Sequence, residues 1–180
     1  MIRGGNDVED RDVLLSDVAV TLVPAAEGPP VAIVNTQRIR VSEAGVGKIV
    51  REAMGEAQRR FDLDVRSVES QLRDGSADVR VKVKKFMMAA ELGVTVELTA
   101  TPQGRLRIRI ADLRAPAGLP VAGLVDRFLE TLGSRPGVYP VGQRTVEVDA
   151  NEVLASRGLP VRLEQGVREA RITPGFVEIA

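Results

Sequence analysis

The chain has 180 residues with 25 basic and 25 acidic side chains, giving zero formal charge, and it contains no histidine, cysteine or tryptophan. Those absences exclude disulfides, thiolate nucleophiles, Cys-ligated metals and Ser-His-Asp or Cys-His catalysis, and they remove the commonest general base near neutral pH. The lack of a basic excess argues against a dedicated nucleic-acid binder. With 3 % aromatic and 44 % hydrophobic residues, there are too few rings for base stacking but enough apolar side chains for a mainly aliphatic core.

The N-terminal stretch MIRGGNDVEDRDVLL is acidic and has no apolar segment of signal-peptide type. No run approaches the ~20 apolar residues of a membrane span. The chain as written is expected to be soluble and cytoplasmic, or exported if a leader was removed. Val13 to Val23 and Val31 to Val41 are rich in β-branched residues and are separated by AAEGPP, which predicts a hairpin. Ser42 then stands at an N-cap position. Val46, Ile49, Val50, Ala53, Met54, Ala57 and Phe61 follow at helical spacing, which predicts a helix of about four to five turns.

Val65 to Leu72 is a strand candidate, and Asp74-Gly75 supplies turn chemistry. Val79, Val81 and Val83 then alternate with Arg80, Lys82 and Lys84. After Phe86-Met87-Met88, the residues Leu92, Val94, Val96, Leu98 and Ala100 alternate with polar neighbours or glycine. Thr101-Pro102-Gln103-Gly104 has the form of a turn. In GRLRIRI, Leu106, Ile108 and Ile110 alternate with Arg105, Arg107 and Arg109. The middle of the chain therefore reads as an antiparallel meander with one apolar and one polar face.

Pro120 opens a second predicted helix carrying Val121, Leu124, Val125, Phe128, Leu129 and Leu132, and Gly133 ends it. SRPGVYPVG reads as a loop and Arg144 to Val148 as a short strand. Asp149 caps a short helical turn closed by Gly158. Val161 to Gly166 and Val167 to Ile179 read as a last pair of strands around Thr173-Pro174-Gly175. One domain, 1–180, is expected. It divides into an N-terminal hairpin (1–41), a helix–meander–helix module (42–133) and C-terminal strands with a short helix (134–180).

The candidate motifs are weak. Gly45-Val46-Gly47-Lys48 is like part of a phosphate-binding loop, but Ser42 stands where the first glycine belongs and Ile49 where Ser or Thr belongs. Asp62 and Asp64 have no third ligand nearby. The basic rows Arg80, Lys82, Lys84 and Arg105, Arg107, Arg109 fit either the wet face of a sheet or contact with an anionic membrane surface. Phe86-Met87-Met88 fits core packing or the rim of an apolar cavity.

An amphipathic helix, about four antiparallel strands and a second amphipathic helix occur in that order. Together with GRLRIRI, GLPVAGLVDRFL and GLPVRLEQGVREARITPGFVEI, this resembles the tubular lipid-binding (TULIP) superfamily, and most closely its small bacterial LmeA-like members, over roughly 39–180. The resemblance implies an α+β fold in which a curved antiparallel sheet wraps around one or two long amphipathic helices. It also implies non-catalytic binding of lipid or another long apolar ligand between them. The groove would be lined by Val46, Ile49, Val50, Met54, Val81, Val83, Met88, Val94, Val96, Leu98, Leu106, Ile108, Ile110, Leu124 and Phe128. No catalytic residue, metal or cofactor is expected. Peripheral contact with an anionic membrane would use the six basic residues named above. The competing reading is a structural or protein-interaction module with a packed core and a docking surface on a sheet edge or helix face. A homodimer is compatible with it.

Overall fold

The computed structural model describes residues 8–10, 12–16, 18–24, 29–35, 38–61, 64–85, 88–115, 129–130 and 132–180. In chain order the first strands are β1 (Val8–Asp10), β2 (Val13–Ser16), β3 (Ala19–Val23), β4 (Val31–Asn35) and β5 (Arg38–Ser42), followed by helix α1 (Glu43–Phe61). The meander is β6 (Asp64–Arg73), β7 (Ser76–Lys85), β8 (Met88–Ala100) and β9 (Leu106–Arg114). Strands β10 (Val138–Gly142) and β11 (Thr145–Val148) lead to α2 (Ala150–Ser156), then to β12 (Val161–Leu163), β13 (Ala170–Thr173) and β14 (Phe176–Ile179).

The strands form three sheets, ordered β1-β2-β5-β14-β13, β10-β11-β9-β8-β7-β6 and β12-β4-β3. The fold is mostly β. This corrects the expected α+β architecture, because among the described residues no long helix is wrapped by a sheet. Helix α1 is capped as expected, with the Gly45 N–H donating to Ser42 Oγ at 3.1 Å. It lies against β6 and β7, where Val50 and Met54 pack on Val68, Val79, Val81 and Val83. Its Ile49 is 57 % exposed, so the helix has an open side that a surrounding sheet would have covered. The second predicted helix falls mainly outside the described residues. Residues 129–130 and 132–133 have helical backbone.

The hairpin expected between Val13 and Val41 forms, but it serves two sheets. Val13 pairs with Val41 and Ser16 with Arg38. Ala19 then pairs with Asn35 and Val23 with Val31. The offset is unchanged across the gap, so one in-register ribbon leaves the five-stranded sheet and enters the three-stranded one. At the base, β14 binds the far side of β5. At the tip, β12 binds β4 in parallel, with Val161 opposite Ala32 and Leu163 opposite Val34. Only β13 and β14 form the expected closing pair, from Ala170 opposite Ile179 to Thr173 opposite Phe176.

The core sits where the larger sheets meet. Leu72 and Ala77 pack against Ile172 and Val177, with Val41, Val46, Leu98 and Ile179 around them. A hydrogen bond from the Gly75 N–H to the Ile172 carbonyl, 2.9 Å, ties the β6–β7 turn to β13. The meander follows the alternation in the sequence. Val79, Val81 and Val83 stand opposite Val94, Leu92 and Ala90, and Leu98 stands opposite Ile108. One segment departs from expectation. SRPGVYPVG is not simply a loop, because Val138–Gly142 pairs with β11 at the edge of the sheet. Pro140 is tolerated there since an edge strand has a side that needs no N–H donor.

Candidate interaction surface

The polar face of the meander is laced with ion pairs. Arg107 Nε and an Nη donate to Glu147 Oε1 at 3.1 and 2.7 Å, and Glu147 is buried. Arg105 lies 3.8 Å from both Glu147 and Asp149, with its guanidinium 4.2 Å above the centre of the Tyr139 ring. The Tyr139 hydroxyl donates to Glu152, which is the main cause of its raised pKa. Arg109 reaches Glu97 at 3.5 Å, and Lys82 reaches Glu69 at 3.8 Å. Each arginine of GRLRIRI is thus matched by a carboxylate from a neighbouring strand or the β11–α2 junction. Matched charges leave little net field to attract a distant polyanion. Arg80 is exposed and Lys84 half-buried on the same face of β7.

The residues expected to line a groove separate into two groups. Val46, Val50, Met54, Val81 and Val83 belong to the packed clusters around α1. Val94, Val96, Leu98, Leu106, Ile108 and Ile110 are half-buried on the same apolar face of the meander as Val81 and Val83, because Val94 stands opposite Val79, Val96 opposite both Ala77 and Ile110, and Leu98 opposite Ile108; Leu98 also packs on the cluster around Ile172. Met88 stands opposite Lys85 at the start of β8. Leu124 and Phe128 lie outside the described residues, as does the Phe86-Met87 part of the methionine motif.

The glycines of Gly45-Val46-Gly47-Lys48 have a packing role. A Cβ on Gly45 would come within 2.7 Å of the Asp12 carbonyl oxygen, and one on Gly47 within 3.3 Å of Ser70 Oγ. Lys48 pairs with Asp12. The pattern lets the first turn of α1 approach the β1–β2 turn and β6.

The sheet edges separate one strand from the others. Edge strand β6 is half covered by α1, carries Arg66 and Glu69, and shifts register between Val65 and Ser67. Edge strand β10 contains Pro140 and shifts register before Gly142. The acidic β1 spans three residues. On β13, Arg171 is charged and the Ile172 carbonyl is already bonded to Gly75. On β12 the side-chain amide of Asn151 clamps the outer edge: it accepts from the Leu163 N–H at 2.7 Å and donates to the Leu163 carbonyl at 3.2 Å. These are the devices that keep strand edges from recruiting other chains.

Strand β3 has none of them. All five residues of AVTLV are exposed, with Val20 at 43 %, Leu22 at 66 % and Val23 at 40 %. None is charged. Among the described residues no strand pairs with its outer edge. The sequence contained the signal, a charge-free run of strand-forming residues ending at Pro24. Reading Val13 to Val23 as one arm of a hairpin concealed which half would be left open. A polar cleft of about 260 Å³ lies between β4, β12 and the Gln103-Gly104 turn.

The last strand carries a buried charge. Glu178 is held between Arg40, 2.7 Å away, and Arg171, 3.0 Å away. Burial raises its pKa, but the Arg171 hydrogen bond and the Arg40 charge outweigh that effect and leave it below the usual carboxylate range. A depressed folded-state pKa stabilises above the unfolded value, near 4.3 for Glu, and that stabilisation is lost as pH falls through the folded pKa. The stability difference between the wild type and Glu178→Gln is expected to hold constant above about pH 5 and to shrink below about pH 4. Urea titrations across that range measure it.

Among the described residues no helix is long and apolar enough to cross a membrane, and no group of three or more acidic side chains is placed to hold a metal ion. Comparison with protein-family models, with curated proteins and with solved structures found no match to this chain.

Proposed function

We propose that this chain is a non-catalytic interaction module that docks an extended segment by strand addition at the open edge of β3. One observation carries the reading: β3 is exposed along its whole length, while the other sheet edges described carry a bulge, a proline, charges or a side-chain clamp. In strand addition, main-chain hydrogen bonds supply affinity and alternate side chains supply selectivity. Among the described residues no strand takes up the outward peptide groups of β3, and an uncharged, β-branched strand suits an uncharged partner. The groove implied by the TULIP resemblance depends on a helix enclosed by sheet, and the described residues contain no such helix.

The test is backbone hydrogen exchange on the whole chain, at the lowest workable concentration, with and without the heptapeptide Lys-Val-Thr-Val-Thr-Val-Lys. Exchange of the outward β3 amides is expected to slow about tenfold, equivalent to about 1.4 kcal/mol of local protection. The amides of β12, closed by Asn151, are expected to stay unchanged. Equal protection at β3 and β12, or none at β3, would defeat the reading. Native mass spectrometry of the same sample reads a different role: a near-stoichiometric acyl adduct would favour a ligand on the half-buried aliphatics of β8 and β9.

A further inference from the structure

We infer that the segment docked on β3 is the β3 of a second copy of this chain, antiparallel about a two-fold axis through Thr21. The inference rests on the strand-addition reading above and names its partner. It is carried by the self-complementarity of the edge. With the axis at Thr21, Thr21 faces its own copy, Val20 faces Leu22, and Ala19 faces Val23. On one face each valine meets a leucine, and on the other each alanine meets a valine. No charge stands from Val18 to Val23, so the two-fold brings no like charges together.

The ends of the strand set the length of the contact. Pro24, which has no N–H, falls opposite Val18, outside the five-residue ladder, so its missing donor breaks no hydrogen bond of the pair. Pairing covers the exposed Leu22 and Val20 on both copies. It joins two three-stranded sheets into one of order β12-β4-β3-β3-β4-β12. The outermost edges of that sheet are the two β12 strands, each already closed by Asn151. The contact is isologous and leaves no edge for further growth, so assembly stops at two copies.

The absence of cysteine makes the register directly testable. Residues facing each other in an antiparallel pair have Cα atoms about 4.5–5.5 Å apart, within the disulfide range of about 4.4–6.8 Å. Thr21→Cys is therefore expected to form a disulfide-linked dimer under mild oxidation. Val20→Cys and Leu22→Cys alone are not: each is displaced from its own copy by two residues, about 6.8 Å along the strand, and lies beyond disulfide reach. A mixture of the two is expected to cross-link to each other. All three positions are exposed, and circular dichroism checks that the variants fold. Light scattering on the unmodified chain is expected to show a concentration-dependent dimer, and Leu22→Lys is expected to abolish it.

The failures are distinguishable. A chain that stays monomeric with inert Thr21→Cys, but whose β3 amides are protected by the heptapeptide, overturns the second copy and leaves strand addition standing. No dimer and no protection overturns both. A dimer in which Thr21→Cys stays reduced places the contact on another surface. Self-linking of Val20→Cys as readily as Thr21→Cys overturns the two-fold register.

Discussion

Ile172→Ala is expected to lower the unfolding free energy by about 3–5 kcal/mol, read as a lowered denaturant midpoint with an unchanged slope. Ile172 is 1 % exposed and sits where the five-stranded sheet meets the six-stranded one. Its neighbours come from both sides: Leu72 and Ala77 from β6 and β7, Val177 from β14. Those groups are fixed in strands paired on other sides, so they cannot collapse into the space left by three missing carbons. The neighbouring Phe176 is a control. It is the larger side chain but is exposed on the same hairpin, and Phe176→Ala is expected to change stability by less than about 1 kcal/mol. Equal effects at the two positions would mean that the sheet-to-sheet contact is not where stability is concentrated.

What the sequence reveals about this fold tracks how local each signal is. Strict alternation in β7, β8 and β9 reports which side chains share a face, and the turns at Asp74-Gly75 and Thr101-Gly104 report which strands are neighbours. The first helix is equally legible, since Ser42 and the spacing from Val46 onward are both local. Nothing in that spacing says how much sheet lies on the helix, so an amphipathic helix beside a meander fits a wrapped helix and a flanking one equally well. Division into three sheets depends on where a ribbon in constant register changes company. That is decided by distant strands, β14 beside β5 and β12 beside β4. The parallel β12–β4 pair joins residues about 130 positions apart and leaves no periodic trace. In VYPVG the proline and the glycine argue for a loop, and the edge position overrides them.

The candidate site was legible in chemistry but not in place. The arginines of GRLRIRI were open to a membrane-facing role because the partners of Arg105 and Arg107, Glu147 and Asp149, lie some 40 residues onward and become neighbours only when β11 pairs with β9. The open edge was hidden for the opposite reason. AVTLV looks like any buried strand, and exposure is a property of what fails to pair with it.

The two faces of β9 give the second large effect. Ile108 stands between Leu98 on β8 and Val146 on β11, and Val146 is buried. Ile108→Glu would put a carboxylate there, with its nearest cross-strand neighbours aliphatic. Losing the isoleucine contacts and desolvating the charge is expected to cost about 3–5 kcal/mol. Arg109, one residue along, points to the other face and meets Glu97 at 3.5 Å with both side chains exposed. An exposed pair of that kind contributes about 0–1 kcal/mol, so Arg109→Leu is expected to shift thermal stability only slightly. Arg107 is intermediate, because its partner Glu147 is buried; Arg107→Leu leaves that carboxylate only the longer contact to Arg105 and is expected to cost about 1–3 kcal/mol. Thermal unfolding of the three variants should therefore rank Ile108→Glu far below Arg107→Leu, with Arg109→Leu closest to wild type. The reverse order would mean that β9 presents its arginines, rather than its aliphatic residues, to the interior of the fold.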